Sequence, residues 1–189
     1  MDGVLEVLIN NAMDRCNYKV IRDSSYYKGF WLVYPFTTEN IKGYIDYFDL
    51  DGRSLMTVGS SLDQVFNARL RGCKDITVVD INPYTKFYYY LKLAALLCLD
   101  REGFLHFLRY VDYPKVFKDN KYVFDKEVFN NIKGILKLLD YDSYLLWDKI
   151  FSTYSSSRIR TTLFSLDEYR TYQIERINEY LSSDDKYEE

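Results

Sequence analysis

The sequence predicts an α/β fold with a small parallel sheet in a chain otherwise rich in helix. Three observations carry this. Two short apolar runs, Leu55–Val58 and Ile76–Ile81, read as buried strands. Between them Leu62, Val65, Phe66 and Leu70 keep helical spacing, and two strands joined through a helix form a parallel unit. Apolar residues also recur at helical spacing before the sheet and over most of the chain after Pro83. With 189 residues, 48% of them hydrophobic and 28% charged, the chain can bury a core and is read as one domain, 1–189. No repeat and no Gly/Ser/Pro linker divides it.

The first helix is expected over Gly3–Asp14, with Val4, Leu5, Leu8, Ile9 and Ala12 on one face. "YKVIRD" and "FWLVYPF" are short extended candidates, and Pro35 biases Tyr34 toward extended backbone. "TTENIKGYIDYF" predicts a helix capped by Thr37 or Thr38, with Ile41, Tyr44, Ile45 and Phe48 as its apolar stripe. "DLDGRS" is a turn around Gly52. The strand–helix–strand unit follows, with Gly72 at the helix C-terminus. "PYTKFYYYLKLAALLCLD" is a long helix, with Asn82 as its N-cap and Pro83 in its first position. "REGFLHFLRYV" reads as another. "DKEVFNNIKGILKLLD" sets Val128, Ile132, Ile135, Leu136 and Leu139 on one face, and "SYLLWDKIFSTY" continues helical. "RIRTTLF" alternates weakly. Ser165 to Glu168 form a capping box for a last helix reaching Leu181, and the polar tail 184–189 is expected to fray. After Ile81 no convincing further sheet strand appears, so the sheet is expected to be incomplete. The chain is read as the N-terminal part of a longer protein or as a reduced relative.

Composition narrows the function. The 20 Tyr and 12 Phe suit a tyrosine-rich core and rim. A base-stacking surface would need basic residues beside the rings. The net charge is −3 and no Lys/Arg block stands out, which argues against nucleic acid as a partner. Cys16, Cys73 and Cys98 are widely spaced and read as buried thiols in a reducing compartment. One histidine, His106, leaves little room for a catalytic triad or a histidine-rich metal site, and no metal is expected. His106 is read as a helix residue. No signal peptide opens the chain, and no apolar run reaches membrane-spanning length. A cytoplasmic protein is expected.

The turn after the first strand carries the chemistry. It reads Gly59-Ser60-Ser61-Leu62-Asp63-Gln64. A dinucleotide loop needs a second glycine so that bare backbone can approach a pyrophosphate, and here only the first glycine position is kept. S-adenosylmethionine (SAM) has no phosphate. Its amino-acid end, ribose and adenine need one tight turn and hydrogen-bonding side chains, which Ser60, Ser61, Asp63 and Gln64 supply. Asp80 ends the second strand, 21 residues beyond Gly59, where a carboxylate can accept ribose hydroxyls. The competing role for Asp80 is to cap the strand end. Val58, Ile81 and Asn82 complete the candidate cofactor-binding set, although Asn82 is also a ready helix cap. Asp140 and Asp142 read as a helix end and the next cap rather than a metal pair. Arg158 and Arg160 in "SSSRIR" are read as part of a solvated loop, with binding of an anionic head group as the alternative. Tyr34, Pro35 and Phe36 fall either in the core or at the cofactor mouth.

The stretch "LMTVGSSLDQVFNARLRGCKDITVVDINPYTKFYYYLKLAAL" resembles the SAM-binding core of class I methyltransferases. More narrowly, "TVGSSLDQ", "VDINP" and "LKLAAL" are similar to the bacterial betaine-lipid-synthase type of 3-amino-3-carboxypropyltransferases. The resemblance covers about Thr37 to Phe107. It implies a Rossmann-like SAM-binding core and transfer of a methyl or 3-amino-3-carboxypropyl group to an unknown acceptor, a small molecule or lipid head group. The chain has fewer glycines in the turn and fewer strands than that pattern. The alternative is a non-catalytic binding or assembly module that keeps the sheet edge; a nucleotide-sugar or NAD enzyme is the third reading. No catalytic residue can be named. With an open sheet edge, a homodimer or a sticky monomer is expected.

Overall fold

A computed structural model describes residues 3–17, 37, 39–107 and 126–153. "YKVIRD", "FWLVYPF", "RIRTTLF", the last expected helix and the tail lie outside the described residues, as do Tyr34, Pro35, Phe36, Arg158 and Arg160. Among the described residues the architecture is mixed helix and strand, helix-rich, with a two-stranded parallel sheet.

Helix α1 (Gly3–Asn17) buries Leu5, Ile9 and Ala12 and half-buries Leu8, as their spacing requires. Val4 stands at the edge of that stripe and is exposed. Helix α2 is short, Ile41–Ile45, and its cap differs from expectation. Asn40, not Thr37 or Thr38, is the N-cap, and its Oδ1 accepts the Gly43 N–H at 3.0 Å. Thr37 is occupied elsewhere: its N–H donates to Asp63 and its hydroxyl accepts the Glu39 N–H. The helix buries Ile41 and Ile45 but stops before Phe48, which is exposed.

Strands β1 (Ser54–Val58) and β2 (Asp75–Val79) pair in parallel, with Ser54 opposite Asp75 and Val58 opposite Val79. Helix α3 (Asp63–Leu70) connects them. Gly52 N–H donates to Gly72 O, so the turns entering the two strands are tied together. Gly72 follows α3 with φ +80°, a left-handed conformation that glycine adopts without steric cost.

The strands are not buried as their composition predicts. Side chains alternate across a strand, so one face carries Leu55, Thr57 and Ile76, and the other carries Met56, Val58 and Val79. Leu55 and Ile76 pack on a small core formed by Ile41, Ile45, Leu50, Ala68 and Cys73. Met56 is 71% exposed, and Val58 and Val79 are also exposed. Apolar β-branched residues favour a pleated sheet wherever they fall, but burial needs a second covering layer. The helices among the described residues gather on other sides.

Those helices are α4 (Thr85–Cys98), α5 (Arg101–Phe107), α6 (Lys126–Leu139) and α7 (Tyr141–Thr153). With α1, they enclose the larger core. Ile132 and Leu136 of α6 are fully buried, and Val128, Ile135 and Leu139 pack beside them, as the spacing predicts. Trp147 Nε1–H donates to Phe87 O at 2.9 Å, and its ring meets Tyr88 edge-on. Phe129 stacks on Phe151 with centroids 4.0 Å apart. Helix α4 starts two residues later than predicted. Asn82 Oδ1 accepts the Tyr84 N–H, and Asn82 O accepts the Thr85 N–H, so Asn82 shapes the turn before the helix rather than capping it. Asp140, rather than Asp142, caps α7: its Oδ2 accepts the Ser143 N–H at 2.9 Å and the Ser143 hydroxyl at 2.6 Å, and Asp142 lies in the first turn of the helix. His106 lies in α5. Cys73 is buried, but Cys98, in the last turn of α4, is exposed rather than a buried thiol. No helix among the described residues is long and apolar enough to cross a membrane.

Candidate functional site

The carboxyl ends of β1 and β2 lie side by side, so Gly59 and Asp80 meet despite their separation in sequence. Gly59 N–H continues the ladder to Val79 O at 3.2 Å. One residue on, Ser60 N–H donates to Asp80 Oδ2 at 3.0 Å, while Asn82 N–H donates to Asp80 Oδ1 at 2.8 Å. The carboxylate thus clamps both turns at the sheet edge. Both oxygens keep acceptor capacity, since an ionised carboxylate offers about four lone-pair sites.

Gly59 is required by close packing rather than by φ. A Cβ built there would overlap Thr85 Cγ2 and lie 2.6 Å from Asp80 Oδ2. The bare backbone serves Asp80 and the buried Thr85, not an approaching ligand. Beyond it, Ser60 and Leu62 are left-handed, with φ 45° and 67°. Both are non-glycine, and Leu62 is fully buried, so the turn holds unusual conformations in place. Leu62 N–H closes the turn on Gly59 O at 2.7 Å.

Asp63 opens α3, where a carboxylate complements the helix dipole. Its Oδ2 accepts the Thr37 N–H at 2.6 Å and the Ser61 hydroxyl at 3.0 Å. Its Oδ1 pairs with Lys92 Nζ at 2.5 Å, and the same ammonium donates to Ser61 O at 3.0 Å. Lys92 is buried in α4, and desolvation pushes its pKa down against the opposing pull of Asp63. Gln64 Nε2 reaches Glu39 at 3.4 Å, and Gln64 Oε1 is shut from solvent without a donor among the described residues.

Of the nine residues the sequence nominates, Ser60, Asp80 and Asn82 share one set of hydrogen bonds and Ser61 and Asp63 a second, and Gly59, bonded to Val79 and Leu62, stands in the turn beside both. Gln64 borders it through α3. Val58 ends β1 and Ile81 follows β2, and both side chains are exposed. Two members were missed, Lys92 and Thr85. Lys92 left a signal: it shares the buried stripe of α4 with Tyr88, Leu91 and Ala95, where a lysine demands a partner. Thr85 left none.

Asp140 and Asp142 hold Lys86 at 2.9 and 3.9 Å, and no metal-holding group of three or more His, Cys, Asp or Glu occurs among the described residues. An open depression of about 410 Å³ lies on α2, lined by Asn40, Lys42, Gly43, Asp46 and Tyr47, none of them from the turn. No family model, curated protein or solved structure matches the chain.

Proposed function

We propose that the carboxyl edge of β1 and β2 binds SAM, and that the chain is the SAM-binding, Rossmann-like part of a transferase. The observation that carries this is the state of Asp80. Its oxygens are fixed by Ser60 and Asn82 N–H groups and still have lone pairs for the two ribose hydroxyls. The surrounding turn suits a ligand without phosphate. The amides of Gly59, Ser60 and Leu62 are engaged within the protein, whereas a pyrophosphate is held by free N–H groups at a helix start. It would meet Asp80 instead. SAM brings a cationic sulfonium and ammonium, which Asp80 and Glu39 favour, Asp63 being already paired with Lys92.

Bound SAM supplies an electrophilic carbon beside its sulfonium, for transfer of a methyl or 3-amino-3-carboxypropyl group. This chain's residues orient it: Asp80 fixes the ribose, and the Ser60–Asp63 turn fixes the amino-acid end. The acceptor is a small molecule or lipid head group brought to the same edge.

A second reading is a non-catalytic binding or assembly module. It is favoured by the open face of Met56, Val58 and Val79, since nothing among the described residues there shields a reacting carbon from water. Self-association through that face belongs to this reading. Mass spectrometry of small molecules released from the purified protein tests the first reading. SAM or S-adenosylhomocysteine is the expected finding, and NAD or a nucleotide sugar would overturn it.

A further inference from the structure

We propose that Lys92 is a positioning residue that holds the Gly59–Asp63 turn in its ligand-ready shape; this rests on reading that turn as a ligand site. Lys92 occupies a place where an apolar side chain would serve packing better. It sits on the buried stripe of α4 beside Leu91 and Ala95, with its ammonium 5.9 Å from the Phe66 ring centroid. Burying an ion pair is seldom a source of stability, because desolvation offsets the attraction. The geometry points to a different use.

Ser61 lies between the two left-handed residues, Ser60 and Leu62. Such conformations persist when the surroundings over-determine them. Lys92 fixes the carbonyl between them, at 3.0 Å, and grips Asp63 at 2.5 Å. Asp63 in turn holds the Ser61 hydroxyl and the Thr37 N–H. One ammonium from a different helix therefore sets Ser61 at both its carbonyl and its side chain. Asp80 secures only the other end of the turn, through Ser60 N–H. Without Lys92 the Ser61 peptide loses its link to α4, and the turn relaxes toward ordinary backbone.

The full chain is tested as Lys92→Met, Lys92→Arg and the double variant Lys92→Met/Asp63→Asn. The readouts are urea unfolding, amide hydrogen exchange and calorimetric titration with S-adenosylhomocysteine. The single Met variant strands a buried carboxylate and is expected to be unstable; the double variant removes both charges and recovers the unfolding midpoint. The double variant should still exchange its Ser60–Asp63 amides at least about tenfold faster, with α4, α6 and α7 unchanged. Its affinity for S-adenosylhomocysteine should fall roughly tenfold to a hundredfold, as loss of hydrogen bonds to a charged group implies; because Asp63 is itself a candidate site residue, the loss of turn protection is the readout that assigns the effect to Lys92. Lys92→Arg should restore part of the affinity, because a guanidinium keeps the charge and the donors. Wild-type turn exchange and affinity in the double variant overturn the proposal. So does an unfolded double variant, which would make the pair a folding requirement. If the wild-type chain fails to bind S-adenosylhomocysteine, the ligand reading falls, and the turn exchange alone decides the role of Lys92.

Discussion

Replacing Gly59 by Ala tests the packing of the turn directly. The new Cβ would sit 2.6 Å from Asp80 Oδ2 and overlap the Thr85 methyl. Ordinary carbon–oxygen contacts begin at roughly 3.3 Å, so the carboxylate must retreat by about 0.7 Å. Its bond to Ser60 N–H, now 3.0 Å, then stretches beyond useful length. Overpacking of this kind costs about 1–3 kcal/mol, offset by about 0.4–1 kcal/mol from the stiffer unfolded chain. A net loss of about 1–2 kcal/mol follows, or roughly 2–8 °C in Tm for a domain of this size. Urea unfolding measures it. Gly134→Ala is the control: this exposed position in α6 has open space around it, and alanine there should stabilise by about 0.5–1 kcal/mol. Adding Thr85→Ser to Gly59→Ala removes the methyl half of the clash and should recover part of the loss. A Gly59→Ala variant as stable as the wild type would refute the reasoning, because the turn could not then be closed on Asp80 and Thr85.

Asp140→Asn keeps the α7 cap but loses the Lys86 pair. Burial alone would raise the Asp140 pKa, but the Ser143 hydroxyl, Lys86 and the Ser143 amide together hold it below the usual carboxylate range. The charge-dependent stability is therefore present above about pH 4 and lost as pH falls through the lower folded value. The gap between wild type and Asp140→Asn should close on acidification, and a gap independent of pH in urea titrations would contradict this. Trp147→Ala should cost about 3–5 kcal/mol, since it opens the core between α4 and α7 and removes the donor to Phe87 O. Thermal unfolding followed by far-ultraviolet circular dichroism checks it, and a loss under 1 kcal/mol would contradict the packing described.

Local signals in the sequence located most of the described elements. The 3.6-residue spacing of Leu5, Ile9 and Ala12, and of Val128, Ile132 and Leu136, marks faces that are indeed buried. The order of the apolar runs, Leu55–Val58, a helix, then Ile76–Ile81, predicted the parallel pairing and with it the meeting of Gly59 and Asp80, although β2 runs from Asp75 only to Val79 and leaves Asp80 and Ile81 beyond its end. Burial of the strands was not legible, because Met56 and Val79 carry no mark of whether a layer covers them. The caps misled where a polar residue had two possible duties. Thr37 turned to Asp63 and Glu39, leaving Asn40 to cap α2. Asn82 capped a preceding turn instead of α4. Lys92 was readable only by noticing a lysine in a buried stripe, and its pairing with Asp63 spans 29 residues. Such long-range polar pairs follow from packing, not from periodicity.

The central claim is that the Gly59–Asp63 turn and Asp80 form a SAM site, and titration calorimetry on the full chain tests it most directly. S-adenosylhomocysteine should bind and NAD should not. Asp80→Ala should weaken S-adenosylhomocysteine by about 1–3 kcal/mol, since it removes the ribose acceptor and leaves the Ser60 and Asn82 amides unpaired. Tighter binding of NAD than of S-adenosylhomocysteine, or unchanged affinity in a folded Asp80→Ala protein, would contradict the account.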